Sequence, residues 1–275
     1  MIEEQPRGQG ILISYKVPLF TRFLSFVSSV FRLMSLNLDH IPSEFKQLNN
    51  QIRLVDSYRA LLCLLYAKPG EAPPKDRWRV TAIQTYKDTR TTVLHEYLVA
   101  TLHDGEERSV MVRIERAKRR ITSEDDSSDD TDSKFKKAAV DSITLVLHSP
   151  PIEDDQLQVD HIEFSKGITL SQLVILACSI NDYARDYDFF KKNCYWFCYV
   201  AIEMLRKQFD DHHSPGLADR SWQGTWHNVP ATALFKKIEW PELLAKYNRM
   251  MKEFDDEVSM SLYDGKEYAN FVLTD

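Results

Sequence analysis

The amino-acid sequence predicts an α+β protein, in which a small antiparallel sheet packs against a buried helix that begins at a cysteine, with extra helices at both ends. Two observations predict this fold class. The middle of the chain contains extended runs rich in Val, Ile, Thr and Tyr, whereas both ends show apolar residues at helical spacing. Strands in the middle with helices segregated to the ends are typical of α+β proteins.

Composition and charge limit the classes of function. The chain has 275 residues and is 43% hydrophobic, which is enough to bury a substantial core. Its net charge of −6 provides no positive field to attract nucleic acid, so we expect no nucleic-acid partner. Four scattered cysteines and an acidic, polar N-terminus indicate a reducing compartment without a secretory signal, so we predict a cytoplasmic protein.

We predict a helical N-terminal region over residues 1–75. Its most apolar segment, Val17–Leu38, is interrupted by Arg22 and Arg32 and is not predicted to span a bilayer. The helical spacing of its apolar residues indicates an amphipathic helix that either packs on the protein's own core or associates weakly with a membrane. A second helix is predicted over residues 52–66.

The central region, residues 76–210, is predicted to contain the sheet. Its extended runs lie at residues 79–87, 91–102, 109–116, 141–148 and 159–164. An acidic insertion, residues 117–138, interrupts them and has too little apolar character to fold, so we predict that it is disordered. Helices are predicted over residues 169–187 and from Cys194 to Phe209, followed by a loop and a helical C-terminal region over residues 211–275.

One cysteine stands at the predicted start of a helix. Asn193 is a preferred N-cap residue, and the run from Cys194 to Leu205 is apolar on every face, so we expect a buried helix that begins at Cys194. At that position the helix dipole favours a thiolate, and the unpaired backbone N–H groups can hold an oxyanion. Free cysteine is also a common buried residue, so this segment alone leaves both a nucleophile and a packing role open. Cys198, one turn further along, is predicted to be a core residue.

A nucleophilic thiol requires a base, and His95 is the candidate. It lies in the run "TTVLHEYLVATL", which is apolar on both faces and therefore predicts a central strand. An imidazole is costly in such a strand unless a partner compensates it. His95 is therefore either a general base or a core histidine that is satisfied by a neighbour.

The hairpin that follows His95 allows two registers. A four-residue loop would place Glu96 opposite Glu115, and a sheet avoids like charges in directly opposite positions. A three-residue loop, residues 104–106, instead places His95 opposite Glu115, which would orient the imidazole and support its charged form. Arg113 on the same face is a rival anion-binding or structural residue. The preferred register also pairs Leu98 with Val112 and Ala100 with Val110.

Two segments together, "LHEYLVATLHDGEERSVMVRIER" and "YDFFKKNCYWFCYVAIEML", resemble the circularly permuted papain-like proteins of the NlpC/P60 superfamily. The branch that they resemble contains lecithin:retinol acyltransferase and its relatives, whose cysteine motif is Asn-Cys-Glu-His-Phe. Asn193, Cys194 and Phe197 match this motif, whereas Tyr195 and Trp196 replace its Glu-His pair. The matching segments cover less than a third of the chain, and the layout is also similar to that of uncharacterised fungal proteins.

The resemblance implies a cysteine-dependent hydrolase or acyltransferase that acts on a peptide, amide or ester carbonyl. It implies that Cys194 is the nucleophile, that His95 is the general base, and that a polar residue on the next strand completes the site. The lipid-acting branch has a histidine there, and Glu115 is the candidate in this chain. Two alternatives are a non-catalytic interaction module that retains the fold, and a peripheral lipid-acting acyltransferase or phospholipase anchored by Val17–Leu38.

Four aromatic residues are candidates for substrate binding. Tyr195 and Trp196 adjoin the thiol, while Trp222 and Trp226 lie in a loop that could cover the site or latch onto the core. The histidines of this loop fit no standard zinc spacing, so no metal site is expected. The sequence contains no nucleotide-binding motif, and we therefore expect no cofactor.

Overall fold

The computed structural model describes residues 41–46, 48, 51–67, 74–90, 94–106, 108–118, 136–146, 155–188, 193–214, 225–226, 229–230 and 238–272. The chain divides into two compact units, Met1–Pro42 and Ser43–Asp275. All the elements below belong to the second unit. The predicted amphipathic helix Val17–Leu38 lies outside the described residues.

An antiparallel sheet forms the centre of the second unit. The strands are β1 Arg53–Leu54, β2 Arg79–Asp88, β3 Glu96–His103, β4 Ser109–Lys118, β5 Lys136–Val146, β6 Gln156–Thr169, β7 Asp186–Asp188, β8 His212–His213, β9 Thr225–Trp226 and β10 Val229–Pro230. Seven of them lie in the order β1-β5-β4-β3-β2-β6-β8, and β7 pairs with a further part of β5. The two short strands β9 and β10 form a separate ribbon.

Helices lie before and after the strands in the chain, as the sequence predicted, so the α+β fold class is confirmed. The described helices are α1 Ser43–Lys46, α2 Val55–Tyr66, α3 Leu170–Tyr183, α4 Cys194–Gln208 and α5 Trp240–Val272. Helix α4 packs on β3, β4 and α3, while α2 packs on α3 and α5. Within the described residues, no helix has both the length and the apolar character needed to cross a bilayer.

Strand β3 lies in the middle of the sheet and is buried on both faces. Leu98, Ala100 and Leu102 lie on one face. Helix α4 covers this face, as the contact between Arg116 of β4 and the ring of Trp196 shows. On the opposite face, Tyr97 and Val99 cluster with Tyr86 and Met111. This burial explains why β3 is apolar without interruption from Tyr97 to Ala100, on both faces of the strand.

The sheet extends into both ends of the predicted acidic insertion. At one end Ala117 pairs with Val140 and Lys118 with Ala139, and at the other end residues 136–138 of β5 pair with β7, so the prediction of disorder is wrong for these five residues. The pairing is possible there because main-chain hydrogen bonds do not require apolar side chains. Residues 119–135 lie outside the described residues, so their predicted disorder stays a prediction. The helix predicted over residues 169–187 ends at Tyr183 and is followed by β7.

The division of the chain also differs from the predicted one. We predicted boundaries near residues 75 and 210, whereas Ser43–Asp275 form one compact unit. The physical reason is that α2 and α5 pack on α3 and on each other. Buried residues on both helices, such as Leu62 and Phe254, belong to the same core as the sheet.

Candidate active site

Helix α4 begins at Cys194, as the sequence predicted. The backbone of Asn193 is extended, and its side-chain Oδ1 accepts a hydrogen bond of 3.1 Å from the N–H of Trp196. The carbonyl of Asn193 accepts the first helical hydrogen bond, of 3.0 Å, from Phe197. Cys194 therefore occupies the first helical position, where a backbone N–H has no acceptor within the helix. This end of the helix carries its positive partial charge.

His95 lies directly before β3, at the end of the sheet. Its carbonyl accepts a hydrogen bond of 2.8 Å from the backbone N–H of Asp88. Leu94, the preceding residue, has a φ of 51°, in the left-handed region that non-glycine residues rarely adopt. This strained turn directs the chain into β3, and it fixes the position from which the imidazole extends.

The imidazole of His95 contacts both Cys194 and Glu115. Its Nε2 lies 2.8 Å from Oε2 of Glu115, and the ring is also hydrogen-bonded to the Cys194 thiol. Glu115 contacts Nε2, which leaves Nδ1 available to the thiol. Burial alone lowers the pKa of His95, but the hydrogen bonds and charges of Cys194 and Glu115 outweigh it and raise this pKa to about 9. The imidazolium form therefore dominates at neutral pH.

Arg113 holds the carboxylate that orients His95. Its Nη2 donates a hydrogen bond of 2.6 Å to Oε2 of Glu115, and its guanidinium lies 3.8 Å from the centre of the Tyr97 ring. Burial raises the pKa of Glu115, but the hydrogen bond from His95 and the charge of Arg113 lower it by more than burial raises it. The pKa of Glu115 is therefore below its ordinary value. Glu115 is thus ionised, and the order of contacts is Cys194, His95, Glu115, Arg113.

The hairpin register that was derived from the sequence is wrong by two residues. Leu98 pairs with Ile114 and Ala100 with Val112, across a five-residue connection of residues 104–108. The buried carboxylate of Asp104 closes this connection by accepting hydrogen bonds from the N–H groups of Glu106 and Arg108 and from the Arg108 guanidinium. A shift of two residues keeps every side chain on its face, so His95 still reaches Glu115, on a diagonal instead of directly opposite.

Cys194 differs from the other three cysteines. Burial raises the pKa of Cys198 and of Cys178 well above the ordinary value. Burial also raises the pKa of Cys63, to about 12, with a further contribution from its hydrogen bond to Glu257. A protonated, desolvated thiol is a poor nucleophile. The contact with an imidazolium therefore distinguishes Cys194.

Tyr195 and Trp196 lie in the interior of the protein, only 2% and 4% exposed. The Tyr195 ring covers the Lys87 ammonium at 5.1 Å, and the Trp196 ring covers the Arg116 guanidinium at 5.1 Å. Both rings therefore pack α4 onto the sheet, and we assign them no substrate contact. Trp222 and the side chain of Trp226 lie outside the described residues, so their predicted substrate-binding role stays a prediction.

Two buried ion pairs lie beneath the first turn of α4, and the sequence analysis did not identify them. Lys87 of β2 is paired with Glu96 of β3 at 3.1 Å, and Arg116 of β4 is bidentate to Asp141 of β5 with two hydrogen bonds of 2.6 Å. All four side chains are at most 1% exposed. The sequence does contain a signal for these pairs, because each charged residue lies in an otherwise apolar strand and faces a residue of opposite charge on the neighbouring strand.

Solvent reaches the site from the side of the histidine. Cys194 is only 1% exposed, whereas the side chains of His95 and Glu115 are 24% and 18% exposed. A groove of about 730 Å³ lies elsewhere, between β5, α3 and α5, and is lined by neither Cys194 nor His95. In the described part of the chain, no three His, Cys, Asp or Glu side chains are arranged to hold a metal ion.

A scan against protein-family models, a search of curated proteins and a search of solved structures found no match to this chain. The function must therefore be inferred from the geometry of the site itself.

Proposed function

We propose that this protein is a cysteine-dependent hydrolase or acyltransferase, in which Cys194 attacks a peptide, amide or ester carbonyl. The observation that carries this proposal is the contact order of thiol, imidazole and carboxylate at the N-terminus of α4. Nucleophilic catalysis requires a nucleophile, a base within hydrogen-bond reach of it, and a group that orients the base.

The first half of the reaction forms an acyl-enzyme. His95 already holds the Cys194 proton at Nδ1 as an imidazolium, and the Cys194 thiolate forms a bond to the carbonyl carbon while the carbonyl oxygen becomes an oxyanion. The backbone N–H of Cys194, at the positive end of α4, donates to that oxyanion. When the oxyanion collapses, the bond to the leaving amine or alcohol breaks, and the imidazolium returns a proton to the leaving group. The product is a thioester on Cys194.

The second half of the reaction releases the acyl group. Neutral His95 removes a proton from water or from an acyl acceptor, and the resulting oxygen or nitrogen nucleophile attacks the thioester carbon. Collapse of the second oxyanion breaks the carbon–sulfur bond, and the sulfur leaves as a thiolate beside the His95 imidazolium, which restores the resting pair. Glu115 keeps the same ring nitrogen occupied in both halves, so Nδ1 faces the reacting atoms throughout.

The family resemblance supports the same assignment. It gives the nucleophile role to Cys194 and the base role to His95. The resemblance rests on the sequence motif, whereas the contact between Cys194 and His95 is a property of the folded chain. In the lipid-acting branch the third residue is a histidine, and in this chain the position is taken by Glu115. A carboxylate partner stabilises the imidazolium directly, so the substitution is chemically compatible with the mechanism.

A non-catalytic interaction module is the second candidate. The burial of Cys194, which is 1% exposed, favours it, because a substrate needs an open path to the sulfur. In this alternative, the thiol and the imidazole would be a satisfied polar pair in the core.

Acylation with an activated ester separates the two candidates. The full chain is incubated with p-nitrophenyl acetate, and the acetylated peptide is identified by mass spectrometry. We expect wild type to gain one acetyl group, on Cys194. Cys194→Ala should gain none, and the matched control Cys198→Ala should gain one as wild type does. In His95→Ala the acetyl group should form at least about a hundredfold more slowly. Wild-type protein that gains no more acetyl group than Cys194→Ala supports the interaction module instead.

A further inference from the structure

Leu94 adopts a backbone conformation that leucine normally avoids. Its φ is 51°, and among the described residues it is the only one other than glycine with a positive φ. In this left-handed region the Cβ atom crowds the neighbouring carbonyl oxygen, so the backbone of Leu94 is strained. Strain of this kind persists only where the surrounding structure imposes it, and it is concentrated at functional sites. The residue that follows Leu94 is His95.

His95 lacks the support that regular structure gives to the other two members of the site. Cys194 lies in helix α4 and Glu115 in strand β4, so the regular hydrogen bonding of those elements places both. His95 precedes β3, which begins at Glu96. The imidazole must nevertheless stay within hydrogen-bond reach of a thiol and a carboxylate that belong to two different elements. Its position therefore requires another support.

The two sides of His95 are held differently. On its carbonyl side, the oxygen accepts a hydrogen bond of 2.8 Å from the N–H of Asp88 in β2. The next residue, Glu96, is paired with Lys87 of β2 and forms the buried ion pair of 3.1 Å. On its amide side, His95 is joined to Leu94, and the backbone angles of Leu94 set the orientation of that peptide unit. The direction in which the imidazole extends therefore depends on the left-handed turn.

We infer that Leu94 is a positioning residue for the proposed reaction, and that its left-handed backbone holds the imidazole of His95 between the thiol and the carboxylate. This inference rests on the proposed function, because it takes His95 as the base. Leu94 acts through His95 and not on the reacting atoms. It follows that the backbone conformation of Leu94 matters to the site, whereas the identity of its side chain does not.

Substitutions at Leu94 separate the backbone from the side chain. Glycine and asparagine adopt the left-handed region readily, whereas β-branched residues such as isoleucine avoid it most strongly. Leu94→Gly and Leu94→Asn should therefore preserve the site, and Leu94→Ile, which conserves the side-chain volume, should disturb it. Packing of the side chain would give the opposite order, because an apolar residue of equal size is then the best replacement. Leu94 is only partly buried, so none of these changes removes a core residue.

The first measurement is the pKa of His95, from an NMR titration of the ring signals. We expect a pKa of about 9 in wild type and a value within about half a unit of it in Leu94→Gly and Leu94→Asn. In Leu94→Ile the pKa should be at least about one unit lower, because the displaced imidazole loses the hydrogen bonds that raise it. The pKa of His161, which burial in β6 lowers, is the internal control, and an unchanged value shows that the sheet of each variant is folded.

The second measurement is the rate at which iodoacetamide alkylates Cys194 at about pH 6. Leu94→Ile should react at least about threefold more slowly than wild type, towards the rate of His95→Ala, because a misplaced imidazole no longer supports the thiolate. Leu94→Gly and Leu94→Asn should stay within about twofold of wild type. Leu94→Val, a smaller β-branched variant, should reproduce the Leu94→Ile result, and it replaces that variant if Leu94→Ile does not fold.

The outcomes that overturn the inference differ from the outcome that overturns the proposed function. A wild-type pKa of His95 in Leu94→Ile and Leu94→Val refutes the role of Leu94, as does the loss of that pKa in Leu94→Gly and Leu94→Asn. Either result leaves the proposed function intact. Alkylation of Cys194 that is no faster in wild type than in His95→Ala refutes the proposed function instead.

Discussion

His95 is the residue that turns a buried cysteine into a candidate nucleophile, because it contacts the thiol with one side of its ring and Glu115 with the other. Sequence patterns indicated both residues. The strand around His95 is apolar, so an imidazole without a partner would be costly there. The alternation of side chains along the hairpin strands placed the Glu115 carboxylate on the same face as His95. Arg113 stayed ambiguous, because a sequence does not show whether a cation binds a neighbouring carboxylate or an external anion.

Replacement of Glu115 tests the residue-scale account. In Glu115→Gln the negative charge is lost but the size of the side chain is kept, so we expect the pKa of His95 to fall from about 9 by at least about one unit. An NMR titration of the histidine ring signals measures it. His161, whose pKa is lowered by burial in β6, is the internal control and should not shift. An unchanged pKa of His95 would show that Glu115 does not support its charged form.

At the scale of elements, α4 is positioned by its cap and by the ion pairs under its first turn. The cap was predictable, since Asn193 acts on the residues next to it in the chain. The hairpin register was not, because the buried Asp104 closes a five-residue connection through side-chain hydrogen bonds that no cross-strand pairing rule includes. The ion pair of Lys87 with Glu96 was not predictable from the sequence either, because it depends on the pairing of strand β2 with strand β3.

Disruption of the buried pair beneath α4 should be costly. Lys87→Met leaves the Glu96 carboxylate buried without its ammonium, so we expect the free energy of unfolding in urea to fall by about 3–5 kcal/mol. The double variant Lys87→Met/Glu96→Leu removes both charges and should recover most of this loss. Lys75→Met, which breaks the exposed pair with Asp255, is the matched control and should cost less than about 1 kcal/mol. Equal losses in the single and double variants would contradict this account.

At the scale of the whole molecule, the sequence predicted the fold class but not the boundaries. The α+β class follows from hydrophobic periodicity, which is a local property and can be read from the chain directly. The unit Ser43–Asp275 follows from the packing of α2 and α5 on α3, which depends on contacts between residues far apart in the sequence.

Global stability should depend on pH through His95. Its pKa of about 9 in the folded protein exceeds the roughly 6.5 of an unfolded histidine. Folding therefore favours the protonated form. The stabilisation, at most about 3 kcal/mol, is fully present below about pH 6.5 and is lost as the pH rises towards about 9.

Urea unfolding of wild type and His95→Gln at several pH values measures this contribution. All other titrating groups are shared, so the difference in unfolding free energy reports His95 together with its contact to Cys194. We expect the difference to shrink between about pH 6 and pH 9. A difference that is constant over this range would show that the pKa of His95 is not raised by folding.

We propose that Cys194 and His95 act as a thiolate–imidazolium pair, and the decisive measurement is the pH dependence of Cys194 alkylation. The full chain, His95→Ala and Cys194→Ala are treated with a low concentration of iodoacetamide between about pH 5 and pH 8, and the modified peptides are quantified. We expect the wild-type protein to be labelled at Cys194 at least about tenfold faster than His95→Ala at about pH 6, because the imidazolium stabilises the thiolate. Labelling that survives in Cys194→Ala, or that proceeds equally fast in His95→Ala, would contradict it.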